Sequence, residues 1–310
     1  MEEVIIQPID TEKIEAELTR ERFLRTTNRG GNEIYVVDAF NAPNVMREVG
    51  RLRELTFRAA GGGTGKSCDI DHFDTMDLPC SQMIVWNPDE KMILGGYRFI
   101  LGKDVVLRDG VPDIATAHMF DFSDEFIRDY LPYTIELGRS FVRVEYQSSK
   151  AGARAIFALD NLWDGLGALT VEHPEIKYLF GKMTMYPGYD PGARDMLLYF
   201  LNHYFPDRDR LVTPKEPLKT SARSEEMERI FCGTDYKQDY KTLNLAIRQT
   251  GFNIPPLVNA YMSLSPTMKL FGTGINHEFG EVEETGILIS ISDIFEEKKQ
   301  RHIASYHHNE

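Results

Sequence analysis

The sequence predicts an α/β (α+β) protein in which one core of mixed strands and helices carries a C-terminal extension. Strand-like and helix-period segments follow one another as β-β-β-α-β-α between residues 82 and 204. The turn formers Asn87-Pro88-Asp89-Glu90 join two of these runs as a hairpin. Past Pro206-Asp207 the chain changes to a charged linker containing Pro214 and Pro217.

Each element follows from its residues. Segment 11–25 is charged, with apolar points only at Ile14, Leu18 and Phe23, the pattern of a helix lying over a surface. Segment 34–37 is a β-branched and aromatic strand. Asn41-Ala42-Pro43-Asn44 supplies cap and turn residues before Val45, Val49, Leu52 and Leu55, which set a helix running to about Arg58. Segment 61–65 must be a loop, because Gly loses more backbone freedom on ordering than any other residue, and the acidic run 69–74 extends it. Segments 82–86 and 92–101 are strands. A long third strand, 133–146, has Gly138 in its interior, where a bulge or a close backbone approach is expected. Helix 154–172 stops at His173-Pro174, and strand 178–186 and helix 191–204 follow. Two more helices are marked by Tyr240, Leu243 and Ile247 closed by Gly251, and by Leu257, Tyr261 and Leu264 after Pro255-Pro256. Segment 286–291 is a last strand. The expected division is a helical segment 1–33, a core 34–207 and an extension 208–310 packed on that core.

Asp and Glu number 48 against 35 Lys and Arg, a formal charge of −13, which excludes nucleic-acid binding as the main business because phosphate neutralisation needs excess Lys and Arg. No apolar run approaches the roughly 18 to 20 residues of a membrane helix. The opening Met1-Glu2-Glu3-Val4 lacks the basic and apolar parts of a secretory signal, so a cytoplasmic location is expected. Cys68, Cys80 and Cys232 form no close pair and suggest neither a disulfide framework nor a zinc site.

Two motifs are decoys. Residues 60–67 nearly write a phosphate loop, but Ala60 replaces its first Gly, a charged helix precedes it and an acidic run follows. A substrate-gating or plain surface loop is the better reading. Asp69, Asp71 and Asp74 imitate calcium ligands, yet the sixth and twelfth positions of such a loop, which need Gly and Glu, hold Asp74 and Cys80. No metal is expected.

The strongest chemical signal is Glu136-Leu137-Gly138-Arg139-Ser140-Phe141-Val142-Arg143. A strand splaying at a bulge frees backbone N–H groups, and a Gly-containing loop opening a helix, here 148–153, can hold the phosphate of a phosphopantetheine arm. Arg53 and Phe57 write an Arg-x-x-x-Phe pattern, Asp69 to Asp74 an Asp-x-Asp-x-Phe-Asp loop, and Gly95-Gly96-Tyr97-Arg98 a strand end. In this order the motifs resemble those of the GNAT acyltransferase superfamily, in its acyl-carrier-protein-dependent branch. That branch includes the ornithine-lipid and glycine-lipid N-acyltransferases, often labelled haemolysin-like, and more distantly the acyl-homoserine-lactone synthases. Residues 254–261 are similar to a helix of the lipid-forming members.

The resemblance implies a GNAT-like, mostly antiparallel central sheet flanked by helices. It implies an N-acyltransferase moving a long-chain acyl or 3-hydroxyacyl group from a carrier-protein thioester to a small amino acid, glycine before ornithine, without a covalent enzyme intermediate. Glu136 is then the general base, acting through water, and N–H groups near Phe141 and Val142 serve the thioester oxyanion. Arg98 and Arg139 are candidates for the acceptor's carboxylate, since a guanidinium pairs with it bidentately. Asp69, Asp71 and Asp74, beside Arg53 and Phe57, order a lid or grip the ammonium. Arg143, Ser149, Lys150, Gly152 and Arg154 take the phosphopantetheine. The segment 149–154 departs from the usual Gln/Arg-x-x-Gly-x-Gly/Ala phosphate loop, which turns the reading from acetyl-CoA toward acyl carrier protein, with acyl-CoA still open. No tightly bound cofactor is implied. Four basic residues, Arg139, Arg143, Lys150 and Arg154, stand against Glu145, a local +3 that would steer an acidic carrier. A short-chain CoA-dependent acetyltransferase and a non-catalytic carrier- or lipid-binding module remain alternatives, as does peripheral contact with the inner face of the membrane.

Overall fold

The computed structural model describes residues 2–147, 153–220 and 224–307. The first helix, α1 (Thr11–Glu17), is shorter than its charge pattern predicts, and a strand, β1 (Phe23–Thr26), occupies the remainder. Tertiary contacts override local preference there: Phe23 packs edge-on against Tyr35 at 5.7 Å, and Arg25 Nη1 donates to the Asp164 carbonyl oxygen at 3.5 Å. After β2 (Glu33–Val37) comes α2 (Pro43–Ala59), opened by Pro43 in its first turn, where a missing N–H costs nothing. The acidic run expected as plain loop contains one helical turn, α3 (His72–Thr75), because Asp71 and Asp74 form a reciprocal capping box.

The hairpin is β3 (Ser81–Asn87) and β4 (Met92–Leu101). A short ribbon, β5 (Leu107–Arg108) with β6 (Val111–Pro112), and the strand β7 (Phe120–Phe122) lead to β8 (Thr134–Val142), which stops before the predicted 146 in a 3₁₀ turn. Then follow α4 (Ala153–Glu172), β9 (Tyr178–Met185), α5 (Pro191–Tyr204), β10 (Val212–Pro214), α6 (Ser224–Ile230), α7 (Tyr236–Gln249) and α8 (Pro256–Met262). The chain closes with β11 (Lys269–Asn276), β12 (Val282–Ser290) and α9 (Glu296–His302).

Eight strands form one sheet in the order β1-β2-β3-β4-β8-β9-β12-β11. Every neighbouring pair is antiparallel except β8 and β9, which α4 links as a parallel crossover. Beyond residue 208 the sequence shows one strand, yet two join this sheet at its far edge. In β11 the alternation is hidden by Gly272, whose φ of 88° belongs to a register shift between Leu270 and Thr273.

One face of the sheet packs on α4, α5, α7 and α8 through residues such as Leu137, Leu166, Leu179, Leu197, Ile247 and Ile287. The opposite face carries two separate apolar clusters. Phe141, Ile84 and Trp86 lie with Val45, Val49 and Leu52 of α2, whereas Ile100, Phe180 and Phe271 lie with Ile114, Phe120 and Phe126. Glycine also sets one helix contact. A Cβ on Gly167 of α4 would stand 2.0 Å from the His302 carbonyl oxygen of α9, and a backbone atom cannot swing aside. Gly167→Ala is expected to cost about 1–3 kcal/mol, read as a lower urea midpoint at unchanged slope. Among the described residues no helix is long and apolar enough to cross a membrane.

Candidate active site

The parallel pairing of β8 and β9 lasts only from Thr134 with Tyr178 to Leu137 with Gly181, after which the strands part. The parting coincides with a bulge. Gly96 faces Phe141 and Arg98 faces Gly138, so Arg139 and Ser140 together oppose Tyr97 alone, and Arg139 takes a left-handed φ of 50°. The sequence places this irregularity at Gly138, and the structure puts the strained residue one position later.

A cavity of about 750 Å³ fills the gap. Alternate residues of a strand face opposite sides of a sheet, and the lining comes from both. Leu137, Leu179, Ile287 and Ile289, with Trp163 and Tyr261, form an apolar half on the helical side; Arg98, Glu136, Arg139, Lys182, Thr184 and Glu284 form a polar half on the other. The cavity therefore passes through the sheet. Phe57 of α2 and Phe279 of the turn between β11 and β12 wall the polar half, edge to face at 5.1 Å, and the Arg139 guanidinium lies 4.4 Å from the Phe279 ring centroid.

Behind Arg98 and Arg139 stands a buried ionic network. Arg98 Nη1 donates to Asp71 Oδ1 at 2.6 Å and Asp74 Oδ2 at 3.2 Å, and its guanidinium sits 5.6 Å from the Phe73 ring centroid. Arg53 reaches both Asp74 oxygens at 3.3 Å and donates to Gln82, whose amide donates to Asp74 Oδ1 at 2.9 Å. Arg139 pairs with Asp69 at 2.9 Å and Asp71 at 3.4 Å; the Asp69 contact is close in distance but not aligned as a hydrogen bond. Burial alone would raise the Asp74 carboxyl, but the Arg53 and Arg98 guanidiniums outweigh it and hold Asp74 well below the usual range. The two arginines expected to meet a substrate carboxylate thus already carry aspartates, and the three aspartates fasten the chain below the bulge.

Glu136 is buried, and its Oε1 accepts from the Thr116 backbone N–H at 3.1 Å and Thr116 Oγ1 at 2.6 Å. Across the parting, Lys182 Nζ lies 2.7 Å from Glu284 Oε2, which also accepts from Asn276 Nδ2 at 3.0 Å. Burial would raise the Glu284 carboxyl; Lys182, Asn276 and Arg139 together draw it down. At the throat, Tyr97 and Tyr261 hold their hydroxyls 3.3 Å apart, and Ser140 is a further lining residue.

The glycine loop is a loop, as its composition predicts, but it is tied down. The buried Glu54 carboxylate accepts from the Thr64 N–H and hydroxyl, the Gly65 N–H and Arg58 Nε. The N–H groups that imitate a phosphate cradle hold an internal carboxylate, and neither a nucleotide nor a gating motion is needed to explain them.

Phe57, Phe141 and Val142 line the cavity, whereas Arg143 pairs with Glu145 at 3.4 Å away from it. Ser149, Lys150 and Gly152 lie outside the described residues, as does the side chain of Arg154. Sequence reasoning missed Lys182, Glu284, Thr116 and Tyr97. A lone lysine in the apolar strand 178–185 is the signal that would have found the first. Cysteine chemistry finds no support in the site: burial pushes the Cys80 thiol up to about 12 and the Cys68 thiol up to about 11, and Cys232 does not line the cavity. Among the described residues no group of three or more His, Cys, Asp or Glu is placed to hold a metal ion.

Residues 52–156 match the acetyltransferase (GNAT) domain model. The chain is 62% identical over 305 residues to a glycine N(alpha)-acyltransferase of Bacteroides thetaiotaomicron, covering 98% of this chain and 90% of that one. It is 59% identical over 305 residues to a glycine N(alpha)-acyltransferase of Phocaeicola vulgatus, covering 98% and 94%. Among solved structures, TofI in a ternary complex with an inhibitor and MTA aligns at a TM-score of 0.39 and 12% identity, over 83% of this chain and 91% of that one. That likeness is too loose to carry an argument.

Proposed function

The chain belongs to the GNAT acyltransferases, in the family of the glycine N(alpha)-acyltransferases, and from that premise we propose that it transfers a long-chain acyl group from the thioester of acyl carrier protein to the amine of glycine. The observation that carries this reading is the cavity that threads the sheet where β8 and β9 part. Its apolar half suits an acyl chain and its charged half suits a small amino acid, with the thioester at the throat between them.

The chemistry needs no covalent enzyme intermediate. Glycine's ammonium gives a proton to Glu136 through a water. The free amine attacks the thioester carbonyl, the carbon–sulfur bond breaks, and the nitrogen's surplus proton passes to the departing sulfur, leaving an amide and the carrier's thiol. Backbone N–H groups of the bulged segment near Phe141 and Val142 serve the oxyanion. Arg53, Arg98 and Arg139 with their three aspartates hold the bulge in place. The basic residues between 139 and 154, of which Arg139 is paired with Asp69 and Asp71, would attract an anionic donor of either kind, and what favours the carrier over CoA is the departure of 149–154 from the usual CoA phosphate loop. This reading places the enzyme in the cytoplasm, with an amphiphilic product that partitions to the membrane's inner face.

Purified protein given long-chain acyl carrier protein and glycine should release carrier thiol and form N-acylglycine, identified by mass. The same chain on CoA should be used at least about tenfold less efficiently, and ornithine should replace glycine poorly. Equal use of CoA would remove the carrier assignment, and no thiol release with either donor would remove the activity.

A further inference from the structure

We propose that Lys182 and Glu284 are the acceptor-binding pair, Lys182 taking the carboxylate and Glu284 the ammonium of an α-amino acid zwitterion. The inference rests on the glycine-acylating reading above and names the residues that would recognise the acceptor.

Arg98 and Arg139, the other cations lining the polar half, are both paired with aspartates that fasten the bulge. Lys182 is different, because its carboxylate partner is itself a lining residue. The two stand on neighbouring strands, with Glu284 in register with Thr184 and Gly286 with Lys182, across the parting from Glu136. Asn276 Nδ2 donates to Glu284 at 3.0 Å, and Thr184 Oγ1 lies 3.4 Å from its other oxygen, so the carboxylate is held from two sides.

The separation of charge matches the ligand. Lys182 Nζ and Glu284 Oε2 are 2.7 Å apart, and standard bond lengths put the ammonium and nearer carboxylate oxygen of an α-amino acid about 3 Å apart across one Cα. An acceptor laid antiparallel to the pair closes a ring of alternating charges, in which each group gains a second partner and none is stranded. One further methylene, as in β-alanine, spoils the match. The wall formed by Phe57 and Phe279 stands against the same polar half and leaves an α-hydrogen better accommodated than a side chain.

The test compares glycine with glycinamide, which keeps the amine and lacks the carboxylate charge. The parent enzyme should prefer glycine by at least about tenfold in kcat/KM, as expected for one charge-assisted hydrogen bond. The double variant Lys182→Met with Glu284→Gln removes both charges, so that no buried charge is left unpaired. In it the preference should collapse to near one while the KM for the acyl donor holds. Lys182→Arg, which keeps the charge, should retain the preference. Glu284→Asp folds under the gentler change and draws the carboxylate back by one methylene; it should raise the glycine KM about tenfold with the donor KM unchanged. A parent that acylates glycine alongside a double variant that keeps the preference, or a Glu284→Asp enzyme with an unaltered glycine KM, overturns the assignment and leaves the activity standing. A parent that acylates neither amine overturns both.

Discussion

Asp74→Asn is expected to destabilise the protein by about 3–5 kcal/mol, a large share of the roughly 5–15 kcal/mol that holds a typical domain folded. Asp74 and Arg53 are both fully buried, at 0% exposure, and Arg98 is 2% exposed. The carboxylate accepts from both guanidiniums, from Gln82 and from the Asp71 backbone N–H at 3.1 Å. An amide there leaves Arg53 without a counter-charge and turns an N–H toward donors. Asp71 is the internal control. Its side chain is 25% exposed and shares Arg98 with Asp74, so Asp71→Asn should cost clearly less by urea denaturation. Equal midpoints for the two variants would mean that the network is not organised around Asp74. The pH dependence has a definite sign. Burial pushes the Asp74 carboxyl up, but its two arginines win and depress it below the unfolded value of about 3.9. The unfolded chain therefore binds the proton first as pH falls. The stabilisation is complete above that value and lost on descending from about pH 4 toward the depressed folded-state value. The parent's stability curve should fall more steeply in that acid window than the Asp74→Asn curve.

How far the sequence could be read depended on the distance over which each element is decided. Pro191–Tyr204 and Met92–Leu101 carry their own signals, a capped amphipathic helix and an apolar strand behind a turn, and both appear where periodicity puts them. β1 was hidden in a charged stretch because its partner is β2, and β11 because Gly272 breaks its alternation. The bulge was legible through Gly138 and the motif around it. The tasks of Arg98 and Arg139 were not, since their partners Asp69, Asp71 and Asp74 lie 24 to 70 positions away and local reading left both sides free for substrate. Lys182 and Glu284 were missed for the same reason: Lys182 is one charge in an otherwise apolar strand, Glu284 follows Glu283 at the start of another, and a separation of 102 positions conceals the pair. Motif reading thus located the place where the strands part but not the charges across the gap.

Glu136→Gln should lower kcat with glycine by about 100-fold or more while leaving the fold and the donor KM in place. The substitution is a clean one. Glutamine keeps the side chain's length, and its carbonyl oxygen can accept the same two hydrogen bonds from Thr116 N–H and Oγ1 that orient Oε1 at 3.1 and 2.6 Å. What it removes is the capacity to take a proton. A strut between β8 and the 115–118 turn would survive the change, because a neutral acceptor satisfies Thr116 as well as a carboxylate does. The two roles also part with pH. If Glu136 prepares the nucleophile, the variant's deficit should shrink as pH rises toward the amine's own pKa, where solvent supplies free amine without help from the enzyme. A residue that only positions the strand predicts a deficit that is flat in pH, or no deficit at all. Rates measured for parent and variant across that range, at saturating donor, decide between base and strut. A Glu136→Gln enzyme as fast as the parent would send the search for the base to Glu284, the other carboxylate lining the polar half of the cavity.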